Sequence, residues 1–268
     1  MLSPTALAER AIDIARRAAR PVALEPARYT AIFTPAAVAQ LVRAMHYAYM
    51  TYFIEQNISP FATRASGKRE VLGRRVFDAR VRFVSDPADP DGGYPPFIDA
   101  RRILGATAGF PLQRMMWVDG GVLESLAYEI GDALAKGRQS HPSPQSVRLS
   151  AMPGTETHTL DEMVAGCTHG ILVNRLSGVE VVDWRSGLMT GFTRDGCFLV
   201  RSGRIEKSVK NFRFTASPFL ALNNLEAIGT SQRAALGHMD TDEWPLGPVI
   251  VPPIMVRDFQ FMALTDAV

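Results

Sequence analysis

Apolar side chains return every three or four residues along two early stretches of this sequence, and alternate with polar ones or fall in short runs further on. The longest helical stripe runs from Pro35 to Gln56. Val38, Leu41, Val42, Met45, Ala48, Tyr49, Tyr52 and Phe53 share one face, broad enough to pack a helix on a core and leave Gln40 toward water. Ahead of it, Ser3 and Pro4 supply an N-cap and a first-turn proline. Leu7, Ala11, Ile14 and Ala18 then align on one face, the opposite face is basic, and Pro21 ends the run. Thr159–Cys167 and Pro218–Ile228 read as shorter helices, the second stopped by Gly229.

Strand patterns occupy much of the remainder. Tyr29–Phe33 is a short strand, and Met115–Val118 with Val122–Tyr128 flank Asp119-Gly120-Gly121, a turn whose residues tolerate positive φ. A second hairpin joins Phe198–Arg201 to Arg204–Val209 across Ser202-Gly203. In its second arm Ile205, Lys207 and Val209 face one way, and the lysine on that face places the strand near a sheet edge. Prolines and glycines make Ser85–Pro96 a loop. Hairpins interspersed with helices, rather than regular βαβ units, predict an α+β fold: a large mixed or antiparallel sheet with hairpins and a few packed helices.

Composition narrows the class. The 268 residues carry a net charge of +2, too small to require a nucleic acid or a membrane. The only concentrated charge is the basic stretch Arg64–Arg82, which lacks an aromatic platform for bases and reads as a solvated loop or a contact for an acidic partner. No apolar run reaches 18 residues, and the charges at Glu9, Arg10, Asp13, Arg16 and Arg17 exclude a secretory signal, which makes the cytoplasm the expected location. Cys167 and Cys197 are the only cysteines and form no C-x-x-C knuckle.

Candidate chemistry is sparse. The five histidines, His46, His141, His158, His169 and His238, include no pair at metal-ligand spacing. His238 has Asp240, Asp242 and Glu243 nearby, so it and His46 are the fallback ligand candidates, each with a plainer reading as a loop or helix residue. Cys167 and His169 are too close in sequence to form a nucleophile–base pair. Arg194-Asp195 and Arg257-Asp258 are candidates for structural ion pairs or a subunit contact.

Four blocks carry a resemblance. TLDEMVAGCTHGILVNRL (Thr159–Leu176), TGFTRDGCFLVRSGRIEKSVKNFRF (Thr190–Phe214), SPFLALNNLEAIG (Ser217–Gly229) and the closing VPPIMVRDFQF stand in an order that resembles the C-terminal domain of the TldD/PmbA metalloprotease family. On that resemblance, residues 23–268 are the TldD/PmbA-type domain and residues 1–22 a leading helix like the family's interdomain linker, with the N-terminal domain missing. The family's catalytic subunits hold zinc through an H-E-x-x-x-H helix and a later cysteine, with the glutamate as general base. Here the matching helix offers His46, then Tyr47, then Thr51, and no cysteine follows the block ending in AIG. The resemblance therefore implies a TldE/PmbA-like subunit with no catalytic residue, no metal and no cofactor of its own. A TldD-like zinc subunit, or a second copy, would be its partner in a cytoplasmic complex that acts on unfolded peptides, with this chain structural and substrate-selecting. Two other readings stay open: a stand-alone homodimeric binding or structural protein, and an atypical peptidase-like enzyme of natural-product maturation.

Overall fold

Ser3 accepts a hydrogen bond from the Ala6 amide at 3.3 Å, and Pro4 opens α1 (Pro4–Ala18), as the pattern predicts. Next come β1 (Arg28–Phe33), α2 (Pro35–Met45), a 3₁₀ turn over His46–Tyr49 and α3 (Thr51–Glu55). They are followed by β2 (Val81–Ser85), β3 (Met115–Asp119), β4 (Val122–Leu123), α4 (Ile130–Ala135) and β5 (Val147–Ala151). Then come α5 (Leu160–Gly166), the long strands β6 (His169–Asp183) and β7 (Leu188–Arg201), β8 (Arg204–Val209) and β9 (Phe212–Ala216). The order closes with α6 (Pro218–Ala221), β10 (Leu225–Ile228), β11 (Gln232–Ala234), β12 (Val249–Val251) and β13 (Ile254–Leu264). This computed structural model describes residues 3–62, 71–92, 111–128, 130–137, 144, 146–234 and 249–265.

The class is α+β with mixed sheets, but the strands divide into two sheets where the sequence pattern points to one. The seven-stranded sheet runs β1-β6-β7-β9-β13-β10, with β8 on β7. Because β1 also pairs with β13, the strands β1, β6, β7, β9 and β13 close into a ring. The six-stranded sheet runs β11-β12-β5-β2-β3-β4. Side chains alternate across the first sheet with the period of two that strands impose. Phe33, Ile171, Val173 and Leu199 point into the main core, where they meet Trp117, Leu149 and Val251 of the second sheet. Ile32, Leu172, Phe198 and Val200 point outward and are covered by Met163, Val164 and Cys167 of the α5 region and by Ala18 of α1. Helix α5 is fixed at its start by reciprocal bonds: Glu162 N to Thr159 Oγ1 at 3.2 Å, and Thr159 N to Glu162 Oε2 at 2.7 Å.

Helix α2 lies between the sheets, touching β1 and β6 on one side and β11 and β12 on the other. Leu41, Val42 and Met45 are buried, as the stripe predicts, but so are Ala37, Ala39 and Gln40. A helix covered nearly all round has sheet on both flanks, and Gln40 does not face water as the amphipathic pattern suggests.

Three local expectations change. The helix expected over Pro35–Gln56 breaks after Met45, for reasons given with the site below. The expected helix Pro218–Ile228 ends at Ala221, and Leu225–Ile228 is strand β10, paired with Ile254–Val256 of β13. Asn223 makes the turn, donating through Nδ2 to Val76 O at 2.8 Å and Phe219 O at 3.0 Å. The hairpin around Gly120-Gly121 forms, with a second arm only as long as β4. The Ser202-Gly203 hairpin forms with both residues at positive φ, 48° and 76°, and among the described strands β8 pairs with β7 alone, the edge position that Lys207 predicts. Among the described residues no helix is long and apolar enough to cross a membrane.

Burial of Leu41, Val42 and Met45 contributes roughly 1.5–3 kcal/mol each. Met45→Asp sets a charge in that interior without a partner, at a cost of several kcal/mol. The variant is expected to lose its cooperative thermal transition, whereas Leu7→Asp on the exposed face of α1 keeps it; circular dichroism melts read both.

Candidate functional site

The stretch from Met45 to Thr51 is where the family resemblance places catalytic chemistry, and local bonding there departs from a helix. After Met45 the chain tightens into the 3₁₀ turn, and Met50 is extended at φ −76°, ψ 127°. The cause is tertiary. Met50 forms a parallel bridge with Ala127. Ala127 N donates to Tyr49 O at 2.8 Å and Thr51 N donates to Ala127 O at 2.9 Å. Thr51 Oγ1 donates to the same carbonyl at 3.0 Å, and Ser59 Oγ donates to Ala48 O at 2.8 Å. Backbone groups that a continuous helix would use internally are spent on other segments.

Each side chain in the stretch is committed to packing. His46 is buried, its Nδ1 lies 2.9 Å from Arg43 O, and burial first and the Arg43 charge second push it down to about 4. Its imidazole is therefore neutral, and Nδ1 carries the proton that the carbonyl accepts. Tyr47 donates its hydroxyl to Trp184 O at 2.9 Å. Burial, then Asp183, raises its pKa above the ordinary tyrosine value. Tyr49 is buried among Phe61, Phe83 and Trp117, and burial raises its pKa as well.

Those residues do not fit a zinc ion. One neutral imidazole is present, the position after it is a protonated phenol, and the break in the helix sends Thr51 to Ala127. Among the described residues no group of three or more His, Cys, Asp or Glu side chains could hold a metal. His238, with Asp240, Asp242 and Glu243, and His141 lie outside the described residues.

The other candidates are dispersed. Asp195 pairs with Arg175 of β6 at 3.0 Å, and Arg194 Nε donates to Ser177 Oγ at 3.1 Å. Arg257 pairs with Glu226 at 3.4 Å. The partners come from neighbouring strands rather than from within the dipeptides. Both dipeptides mark bulges: Asp195 and Asp258 have φ near 57° and 56°, and the pairing register shifts at each place. Aspartate tolerates this left-handed backbone better than most residues, which is the one sequence signal for it. Cys167 and His169 form no nucleophile: burial pushes the Cys167 thiol up, and the His169 ring sits edge-on to Tyr29 at 5.4 Å. Burial pushes Cys197 up to about 12.

In the basic stretch, the described arginines bond to the chain itself, although Arg74 and Arg75 stay exposed. Arg75 Nη1 reaches Gly120 O at 2.8 Å, Arg82 pairs with Asp119 at 2.8 Å, and Arg80 pairs with Asp78 at 2.8 Å. Arg80 also donates to Leu225 O at 2.5 Å and Glu226 O at 3.1 Å, tying the start of β2 to β10 of the other sheet. Residues 63–70, including Arg64, lie outside the described set.

Sequence reasoning missed an aromatic cluster at the tip of the β6–β7 hairpin. Trp184 stacks on Phe53 at 5.2 Å with rings 9° from parallel, and Tyr52 meets Phe53 edge-on at 5.3 Å. Trp184 and Tyr52 remain 43% and 58% exposed. The apolar Val182 and Trp184 beside a turn were the available signal, but their proximity to Tyr52 and Phe53 is a tertiary fact.

Comparison with known proteins agrees with this architecture. Residues 26–263 match the PmbA/TldA metallopeptidase C-terminal domain. No curated protein matches significantly. Among solved structures, TldE from Thermococcus kodakarensis superposes with a TM-score of 0.74 at 16% identity, covering 97% of this chain and 55% of that one. A candidate modulator of DNA gyrase from Thermotoga maritima gives 0.75 at 18% identity, covering 97% and 56%. Another from Bacteroides thetaiotaomicron gives 0.71 at 19%, covering 96% and 52%. The chain thus spans about half the length of the solved structures it matches.

The state of His46 has a pH consequence. Its pKa is near 4 when folded and 6.5 when unfolded, so the unfolded chain binds the extra proton between these values. Stability from this group is complete above about pH 6.5 and falls by on the order of 3 kcal/mol as pH drops to about 4. In urea titrations across that window, His46→Gln is expected to show a shallower loss than the unsubstituted chain.

Proposed function

The chain belongs to the PmbA/TldA metallopeptidase C-terminal-domain family, and we propose that within it this chain is a metal-free, TldE-like subunit. Its partner is a TldD-like zinc subunit or a second copy, in a cytoplasmic complex that processes unfolded peptides. This chain would form part of the wall and select extended substrates, while the partner supplies the zinc and the hydrolysis. The observation that supports the reading is the stretch His46–Thr51. Its side chains bond to the carbonyls of Arg43, Trp184 and Ala127, and the buried His46 imidazole is held neutral. Restoring a zinc site would take more than one substitution, because the backbone itself leaves the helix at Met50.

A second surface favours assembly. Helix α1 buries none of its residues fully, and Leu7 on its apolar stripe is 53% exposed. An apolar stripe left in water is a frequent contact for another chain.

Elemental analysis of the purified chain is expected to find well below one zinc per molecule, and chelator to leave any residual peptidase activity unchanged. About one tightly held metal per chain, lost in His46→Ala or His238→Ala, would shift the reading to the atypical peptidase-like enzyme. Sedimentation at micromolar concentration, alone and with a TldD-like protein, is expected to show a complex. A monomer in both runs, with the partner fully active alone, would remove the subunit role, and a dimer that ignores the partner would favour the stand-alone binding protein.

A further inference from the structure

Sheet edges expose rows of backbone donors and acceptors, and most edges here are covered. Beside β4, Gly73 N donates to Leu123 O and Leu123 N donates to Arg74 O. Beside β8, Val22 N donates to Ser208 O and Lys210 N donates to Val22 O. Beside β10, Arg80 holds the carbonyls of Leu225 and Glu226, and His158 N donates to Ile228 O. The β6 edge differs. Its neighbour β1 ends opposite Val173, and Thr34 takes the carbonyls of Val173 and Asn174. From Arg175 to Asp183, among the described residues, the strand is paired only on its β7 side. That is at most about 30 Å of edge with one side unpaired, with register shifts between Ser177 and Glu180 and between Val181 and Asp183.

This edge runs into the aromatic cluster. Trp184 follows Asp183 directly, and the tip is held in place: Tyr47 Oη donates to Trp184 O at 2.9 Å, and Ser217 Oγ donates to Ser186 O at 3.3 Å. Gly187, at φ 67°, sits so close to Phe219 that a Cβ would lie 2.4 Å from its ring. A rigid tip therefore presents Trp184, Phe53 and Tyr52 as a half-exposed apolar surface at the end of a strand with one open edge. Along the edge, Glu180 and Asp183 are exposed and acidic, and Val182 is 56% exposed.

We infer that the β6 edge takes an extended peptide by strand addition, and that the peptide seats an aromatic or large aliphatic side chain on Tyr52, Phe53 and Trp184. Unpaired strand groups call for a partner in strand conformation. The stacked rings call for an apolar anchor, and Glu180 and Asp183 favour neutral or basic residues beside it. This rests on the peptide-selecting reading above and adds the place and the side-chain class.

The probe is a fluorescein-labelled nonapeptide with a central Phe between alternating Thr and Val and a Lys at each end. Anisotropy with the full chain is expected to rise to saturation. Replacing the central Phe by Ser, or introducing Trp184→Ala or Tyr52→Ala, should weaken binding about tenfold. N-methylating alternate backbone amides should abolish it on the unsubstituted protein, where no question of variant folding arises. Circular dichroism separates a lost site from a lost fold in the variants. No saturable binding, or binding indifferent to both the anchor and N-methylation, overturns the inference. Sedimentation with a TldD-like subunit is a separate readout. A complex without anchored peptide binding removes this subsite and leaves the subunit reading standing; anchored binding without a complex supports the subsite and removes the partner.

Discussion

A helix with almost no solvent face needs neighbours on both sides, and α2 imposes that condition on the whole molecule. Its residues from Ala37 to Val42 are buried in unbroken succession. Their contacts with the ring of β1, β6, β7, β9 and β13 on one flank and with β11 and β12 on the other weld two sheets into one core. Side chains from both sheets meet around it, so neither sheet has a complete apolar interior without the other. Arg80, bonded to β10 carbonyls and paired with Asp78, adds a polar tie between the sheets.

Where α2 stops, the same demand for satisfied backbone groups decides the chemistry. Ala127 offers an amide to Tyr49 and a carbonyl to Thr51, and the helix gives way to an extended residue at Met50. The break leaves no continuous helical face from His46 to Thr51, and the hydroxyls of Tyr47 and Thr51 are already hydrogen-bonded. A fold does not by itself carry chemistry, and in this stretch the side chains and the bridge to Ala127 serve packing and backbone bonding.

Charge serves the frame more than the surface. Arg175–Asp195, Arg257–Glu226 and Arg82–Asp119 each join neighbouring strands, and the Arg-Asp dipeptides sit where strands bulge to take up an extra residue. Exposed pairs of this kind contribute little each. Their geometric role is to fix register beside bulges, where a slip would turn core side chains outward.

Much of the local structure was legible in the sequence because its signals act over a few residues. The Ser3-Pro4 start, the short helix beginning at Thr159, the Gly120-Gly121 and Ser202-Gly203 turns, and the edge position of Lys207 all depend on near neighbours. The ordered blocks from Thr159 to the final strand carried the family. Long-range contacts decided the rest. Gln40 is buried because a second sheet covers the far side of α2, and Leu225–Ile228 is a strand because β13 supplies its partners. His46 is neutral because the core removes its water, and Asp195 pairs with Arg175 because β6 lies alongside β7. Periodicity reports which face is apolar; it carries no record of how many neighbours will cover that face, or of which distant carbonyl will take a hydrogen bond.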